Sequence, residues 1–147
     1  MGKHSELYLA ELAHHTHREV NSLLRKKGLE SSMNVAAICL YGSAAQVHFG
    51  RVATYNDHDL QVFLCRENNY RKNDVSGLNR YGAPWCLGEY EGKKVEVFFG
   101  LLDERNENLL KTIREYARNN RSPRWEGHRR KPFLVLWPIR ADWPTVM

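Results

Sequence analysis

The sequence has no run of about 18 apolar residues of the kind that spans a bilayer. Its first residues, Met1-Gly2-Lys3-His4-Ser5, carry no apolar signal-peptide core. Cysteine is scarce as well: Cys39, Cys65 and Cys86 are odd in number and lack C-x-x-C spacing. That pattern argues against a disulfide framework and against a zinc site. Two of the three fall in apolar strand-like segments, so buried free thiols are expected. No internal repeat, low-complexity tract or long linker breaks the chain, which is therefore read as one domain spanning residues 1–147. Together these absences predict a soluble protein of the reducing cytoplasm.

What is present is enough for a core. A chain of 147 residues with 42% hydrophobic content buries about two-thirds of its unfolded surface without covalent staples. The formal net charge is +5, with a pI near 9.2. Such a balance favours an anionic partner, which a nucleotide satisfies and a nucleic acid satisfies as well.

The most informative stretch comes in two halves. Val35 to Tyr41 is apolar throughout, as a strand covered on both faces would be, and it breaks at Gly42-Ser43. Ala44 to Arg51 reads as a short helix and a loop closed by Gly50-Arg51. Gly42-Ser43 is then the turn between strand and helix, where free N–H groups and the positive end of the helix dipole favour an anion. Glycine lets backbone approach the anion, Ser43 adds a hydroxyl donor, and Arg51 lies within reach of a phosphate chain. After thirteen intervening residues comes Asp57-His58-Asp59, leading into the strand Leu60 to Cys65. In an extended strand Asp57 and Asp59 leave the same face, about 7 Å apart at Cα. Two carboxylates so placed repel unless a cation sits between them, and a hard, oxygen-preferring ion such as Mg²⁺ suits them when a phosphate is near.

Tyr41-Gly42-Ser43, Asp57-His58-Asp59 and a further acid in Val95-Glu96-Val97 resemble the signature of the nucleotidyltransferase superfamily typified by DNA polymerase beta. That signature is a hydrophobic residue, Gly-Ser, an interval, Asp-x-Asp and a third carboxylate on a later strand. His58 occupies a position where an aliphatic residue is common in the family. The resemblance covers about residues 35 to 99. It implies a minimal nucleotidyltransferase fold: an α/β (α+β) domain with a mixed sheet of four or five strands and helices packed against it. It implies the reaction too, attack of an acceptor on the α-phosphorus of a nucleoside triphosphate such as ATP, with release of pyrophosphate. Catalytic and metal-binding roles then fall to Asp57, Asp59 and Glu96, with one or two Mg²⁺ ions. Nucleotide-binding roles fall to Gly42, Ser43 and Arg51. Two alternatives stand beside this reading: a nucleotide- or RNA-binding module without turnover, and an antitoxin-like transferase acting on a protein partner.

The rest of the chain frames these halves. Leu9, Leu12, Ala13, Val20, Leu23 and Leu24 fall on one helical face within about residues 5–27, with Ser5 as N-cap and Gly28 as stop. His14, His15 and His17 read as part of that helix's solvated polar face. Residues 66 to 86 are polar and punctuated by Gly77, Gly82 and Pro84, a loop over the site. Leu87 to Tyr90 and Lys94 to Phe99, joined by Glu91-Gly92-Lys93, form a hairpin in which Glu96 faces away from Val95 and Val97. Asp103 caps a helix running to about Asn119, and Phe133 to Trp137 is a last strand stopped by Pro138. The basic C-terminal extension, about residues 118–147, gathers Arg118, Arg121, Arg124, Arg129, Arg130 and Lys131 around Trp125, a composition suited to a nucleic-acid partner.

Overall fold

A computed structural model of the chain describes residues 4–29, 33–66, 78, 84–102, 109–119, 131–139 and 143–147. The element order is α1 (Glu6–Lys26), β1 (Met33–Tyr41), α2 (Gly42–His48), β2 (Asp57–Arg66), β3 (Trp85–Tyr90), β4 (Lys93–Leu102), α3 (Leu109–Asn119), β5 (Leu134–Trp137) and β6 (Thr145–Val146). The strands form one mixed sheet in the order β3-β4-β2-β1-β5-β6. Only β2 and β4 run parallel; the other neighbours are antiparallel. The described residues thus form an α+β arrangement of three helices and six strands, one strand more than the four or five expected. The extra one is β6, a two-residue strand pairing with Leu134 and Val135.

Helix α1 starts where its chemistry directs. The Ser5 hydroxyl oxygen accepts from the Tyr8 N–H at 3.1 Å, Glu6 lies in the first turn, and Arg25 and Lys26 lie in the last. Each satisfies an end group or complements the helix dipole. The apolar stripe of Leu9, Leu12, Val20 and Leu24 packs on one sheet face against Ile38, Leu40, Leu60, Val62, Val95 and Leu136. Each such side chain contributes about 1.5–3 kcal/mol by burial. On the other face Ile113 of α3 packs with Ala37, Cys39, Phe63 and Val135, and the Tyr116 ring meets Phe63 edge-on at 5.0 Å. β1 lies between these layers, which accounts for its continuous apolar composition.

The β3–β4 hairpin turns at Glu91-Gly92, both at positive φ (52° and 76°), as a two-residue type I′ connection requires. The turn is one residue shorter than expected, and β3 begins at Trp85, two residues before the sequence pattern suggests. Asp103, and most of the 66–86 loop, lie outside the described residues. The histidines of α1 are not a uniformly solvated face. His14 is exposed, but His15 Nε2 is 3.1 Å from the Leu87 carbonyl and the His17 ring lies 4.9 Å from that of Trp137. Leu87 of β3 and Trp137 of β5 lie against them. Cys39 and Cys65 are buried free thiols, whereas Cys86 is exposed, because its strand position faces away from α1. No helix among the described residues is long and apolar enough to cross a membrane.

Candidate functional site

Helix α2 begins at Gly42, two residues before the expected start, with Tyr41 as an N-cap that makes no side-chain capping bond. The chain leaves β1 directly into the helix because Gly42 takes a φ of +67°, a left-handed conformation that a side chain disfavours. A second constraint acts at the same atom: a Cβ on Gly42 would overlap the Asp59 carboxylate. Antiparallel pairing sets this contact, since Tyr41 and Asp59 are register partners. Gly-Ser and Asp-x-Asp, separate in sequence, are therefore packed together.

The third acid arrives through the parallel pair. β2 and β4 align Asp57 with Lys94 and Asp59 with Glu96. In-register residues on parallel neighbours leave the same face about 4.8 Å apart. The face carries two rungs, Asp57/Lys94 and Asp59/Glu96. Asp57, Asp59 and Glu96 are half-buried, while Ser43 and Lys94 are exposed. On the same face the next residues of β2, Gln61 and Phe63, are buried, so the acids stand at the margin of a covered layer. Val95 and Val97 are buried on the opposite face, as the alternation around Glu96 requires.

Carboxylate oxygens are the donors a hard divalent ion takes, so the residue types fit Mg²⁺. As they stand, no three His, Cys, Asp or Glu side chains among the described residues are gathered into a ligand set. What the backbone does establish is a shared face and, for Asp59 and Glu96, a shared register.

Arg51 is not brought to Gly42-Ser43. Its N–H donates to the Gln46 carbonyl at 2.9 Å and its guanidinium to Gln46 Oε1 at 3.4 Å. That holds it at the far end of α2, about 10 Å from Gly42 by helical rise. Of the basic stretch, Arg118 and Lys131 are described and both are exposed. Arg121, Arg124, Trp125, Arg129 and Arg130 lie outside the described residues.

Behind the acids is a cluster that sequence reasoning missed. His58, between Asp57 and Asp59, points to the α1 side and is fully buried. Its Nε2 is 2.6 Å from the Tyr8 hydroxyl, which is also 2.6 Å from the Tyr55 hydroxyl. Burial pushes the imidazole pKa down to about 4, against a smaller upward pull from the Lys93 and Lys94 backbone. Nδ1 has no hydrogen-bond partner among the described residues. The Tyr8 hydroxyl is held well above its ordinary pKa, chiefly by burial and then by its bond to Tyr55. The signal for this cluster was strand alternation: if Asp57 and Asp59 face one side, His58 must face the core. Lys94 was legible as sharing a face with Glu96, but not as the partner of Asp57. Comparison with family models, with curated proteins and with solved structures gives no match.

Proposed function

We propose that this chain is a Mg²⁺-dependent nucleotidyltransferase, moving a nucleoside monophosphate from a nucleoside triphosphate to an acceptor with release of pyrophosphate. One observation carries the reading: Gly42 of the strand-to-helix turn packs on Asp59, which is itself in parallel register with Glu96. A phosphate-accepting turn and three oxygen donors on one sheet face are the two components that phosphoryl chemistry requires. In this reading Asp57, Asp59 and Glu96 hold the metal, and Glu96 alternatively accepts the acceptor's proton. Gly42 and Ser43 hold the β- and γ-phosphates. When bound, Mg²⁺ neutralises charge that builds on the attacking and leaving oxygens.

A second reading, binding without turnover, draws on Lys94. As the register partner of Asp57 it brings a positive charge to the same sheet face, which weakens the case for two ions. Incubation with an α-labelled triphosphate and Mg²⁺, with the chain itself, RNA and small hydroxyl compounds as acceptors, separates the readings. Transfer should release pyrophosphate in wild type and stop in Asp57→Ala and Asp59→Ala. Mg²⁺-dependent triphosphate binding without release would establish the binding module, and absence of both would remove the nucleotide site.

A further inference from the structure

Helix α1 touches both halves of the site from behind the sheet. At its start, His4 Nε2 lies 2.9 Å from the Ala44 carbonyl, and the His4 backbone N–H donates to His48 Nδ1 at 3.1 Å. These two contacts hold α2, the helix that begins at Gly42-Ser43, near its beginning and at its end. One turn further along α1, the Tyr8 hydroxyl meets His58 Nε2 and the Tyr55 hydroxyl, each at 2.6 Å. Donation from Tyr8 to Nε2 of a neutral His58 and acceptance from Tyr55 pair both hydroxyls and Nε2, and leave the imidazole proton on Nδ1, which has no hydrogen-bond partner among the described residues. His58 lies between the two acids of β2, and Tyr55 ends the connection that leads into them. The His4 and Tyr8 rings stack at 4.7 Å and 9°, so the two anchoring points form one rigid unit.

Apolar packing alone would bury this end of α1 and is insensitive to small slides. Directional bonds at 2.6 Å are not. A buried histidine and two tyrosine hydroxyls cost more than aliphatic side chains would, the unpartnered His58 Nδ1 included, and what the two short bonds add in return is a fixed position. We propose that α1 is a clamp, with His4 and Tyr8 as positioning residues that fix the Gly42-Ser43 turn relative to Asp57 and Asp59. The functional part of this inference rests on reading that face as a metal–triphosphate site.

The test compares full-length wild type with Tyr8→Phe, using Tyr90→Phe as control. The Tyr90 hydroxyl donates to Glu11 at 2.9 Å and lies 3.5 Å from the Tyr8 carbonyl rather than its hydroxyl, so its loss leaves the Tyr8–His58 and Tyr8–Tyr55 bonds in place and should change the site little. Two quantities are read: amide hydrogen exchange over 42–48 and 55–60, and affinity for Mg²⁺ with a non-hydrolysable ATP analogue. Tyr8→Phe should speed exchange in both segments about tenfold and weaken binding about 5- to 20-fold, and its melting temperature should fall by a few degrees because buried His58 Nε2 loses its partner. His4→Ala should act on 42–48 first. If Tyr8→Phe does not fold, Tyr55→Phe, which leaves the Tyr8–His58 bond in place, should show the same pattern at smaller amplitude. Unchanged exchange, or an equal response in Tyr90→Phe, overturns the clamp. Should the wild type bind no triphosphate while exchange responds, the clamp stands and the nucleotide reading falls. Triphosphate binding that is indifferent to Tyr8→Phe, with exchange also unmoved, gives the reverse.

Discussion

Gly42 and Asp59 are packed so tightly that the turn cannot carry a side chain: a Cβ at Gly42 would overlap Asp59 Oδ2 and stand 3.2 Å from its Cβ and Cγ. Two costs therefore meet at one residue, a left-handed backbone and a steric one. Gly50 separates them, since it has a φ of +72° and nothing within 4 Å of an added Cβ. Gly50→Ala should cost about 1–2 kcal/mol from conformation alone. Gly42→Ala should exceed it by about 1–3 kcal/mol of overpacking and should lose Mg²⁺-dependent triphosphate binding. Chemical denaturation measures both, and the excess should vanish in an Asp59→Gly background, the signature of a direct pair.

Glu96 and Asp59 are like charges in register on neighbouring strands, a pairing that costs about 0.2–1 kcal/mol when no cation intervenes. Glu96→Gln should therefore raise the melting temperature of the metal-free protein slightly and reduce any Mg²⁺-induced rise. A variant that melts lower, and responds to Mg²⁺ as wild type does, would remove Glu96 from the metal set.

How much of this was legible depended on whether the determinant was local. The strand alternation around Glu96, the Ser5 cap and the glycine at the end of β1 are set by neighbours within a few residues, and each was readable. The parallel register that places Glu96 beside Asp59 has no local signal, because it is fixed by long-range packing of β4 against β2. β6 was missed for the same reason: two residues, Thr145 and Val146, carry no periodicity and pair only because β5 presents an edge. His15 and His17 looked solvated since helical periodicity identifies the apolar stripe but not what closes over its flanks. His58 was read only as a departure from the aliphatic residue common at that position, although the alternation that paired the two acids also assigned it to the core.

Ile113 is the one fully buried side chain among those described on α3, so this helix is held to the sheet by few deep contacts. Ile113→Ala should cost about 2–4 kcal/mol and Ile113→Val about 1 kcal/mol, in urea denaturation. A loss under about 1 kcal/mol for the alanine variant would mean that α3 is held chiefly at its flanking Leu109, Leu110 and Tyr116.

Acid should destabilise the fold through His58. Burial lowers its imidazole pKa to about 4 from the ordinary 6.5. As pH falls, the ring in the unfolded chain takes up a proton near pH 6.5, while the folded ring stays neutral until about pH 4. Across that window the unfolded state binds more protons, so stability declines with falling pH; it is unaffected above about pH 7 and levels off below about pH 4. His4 and His17, whose pKa values burial also lowers, act in the same direction. Between pH 7.5 and 4.5 the His58 contribution should be a loss of about 2–3 kcal/mol. Urea midpoints measured across this range in wild type and His58→Gln provide the check. The variant should be less stable at pH 7.5 and should show a shallower decline by about that amount. Parallel declines in the two proteins would mean that the native His58 ring already takes up its proton near pH 6.5, and that the Tyr8–Tyr55–His58 cluster opens to water.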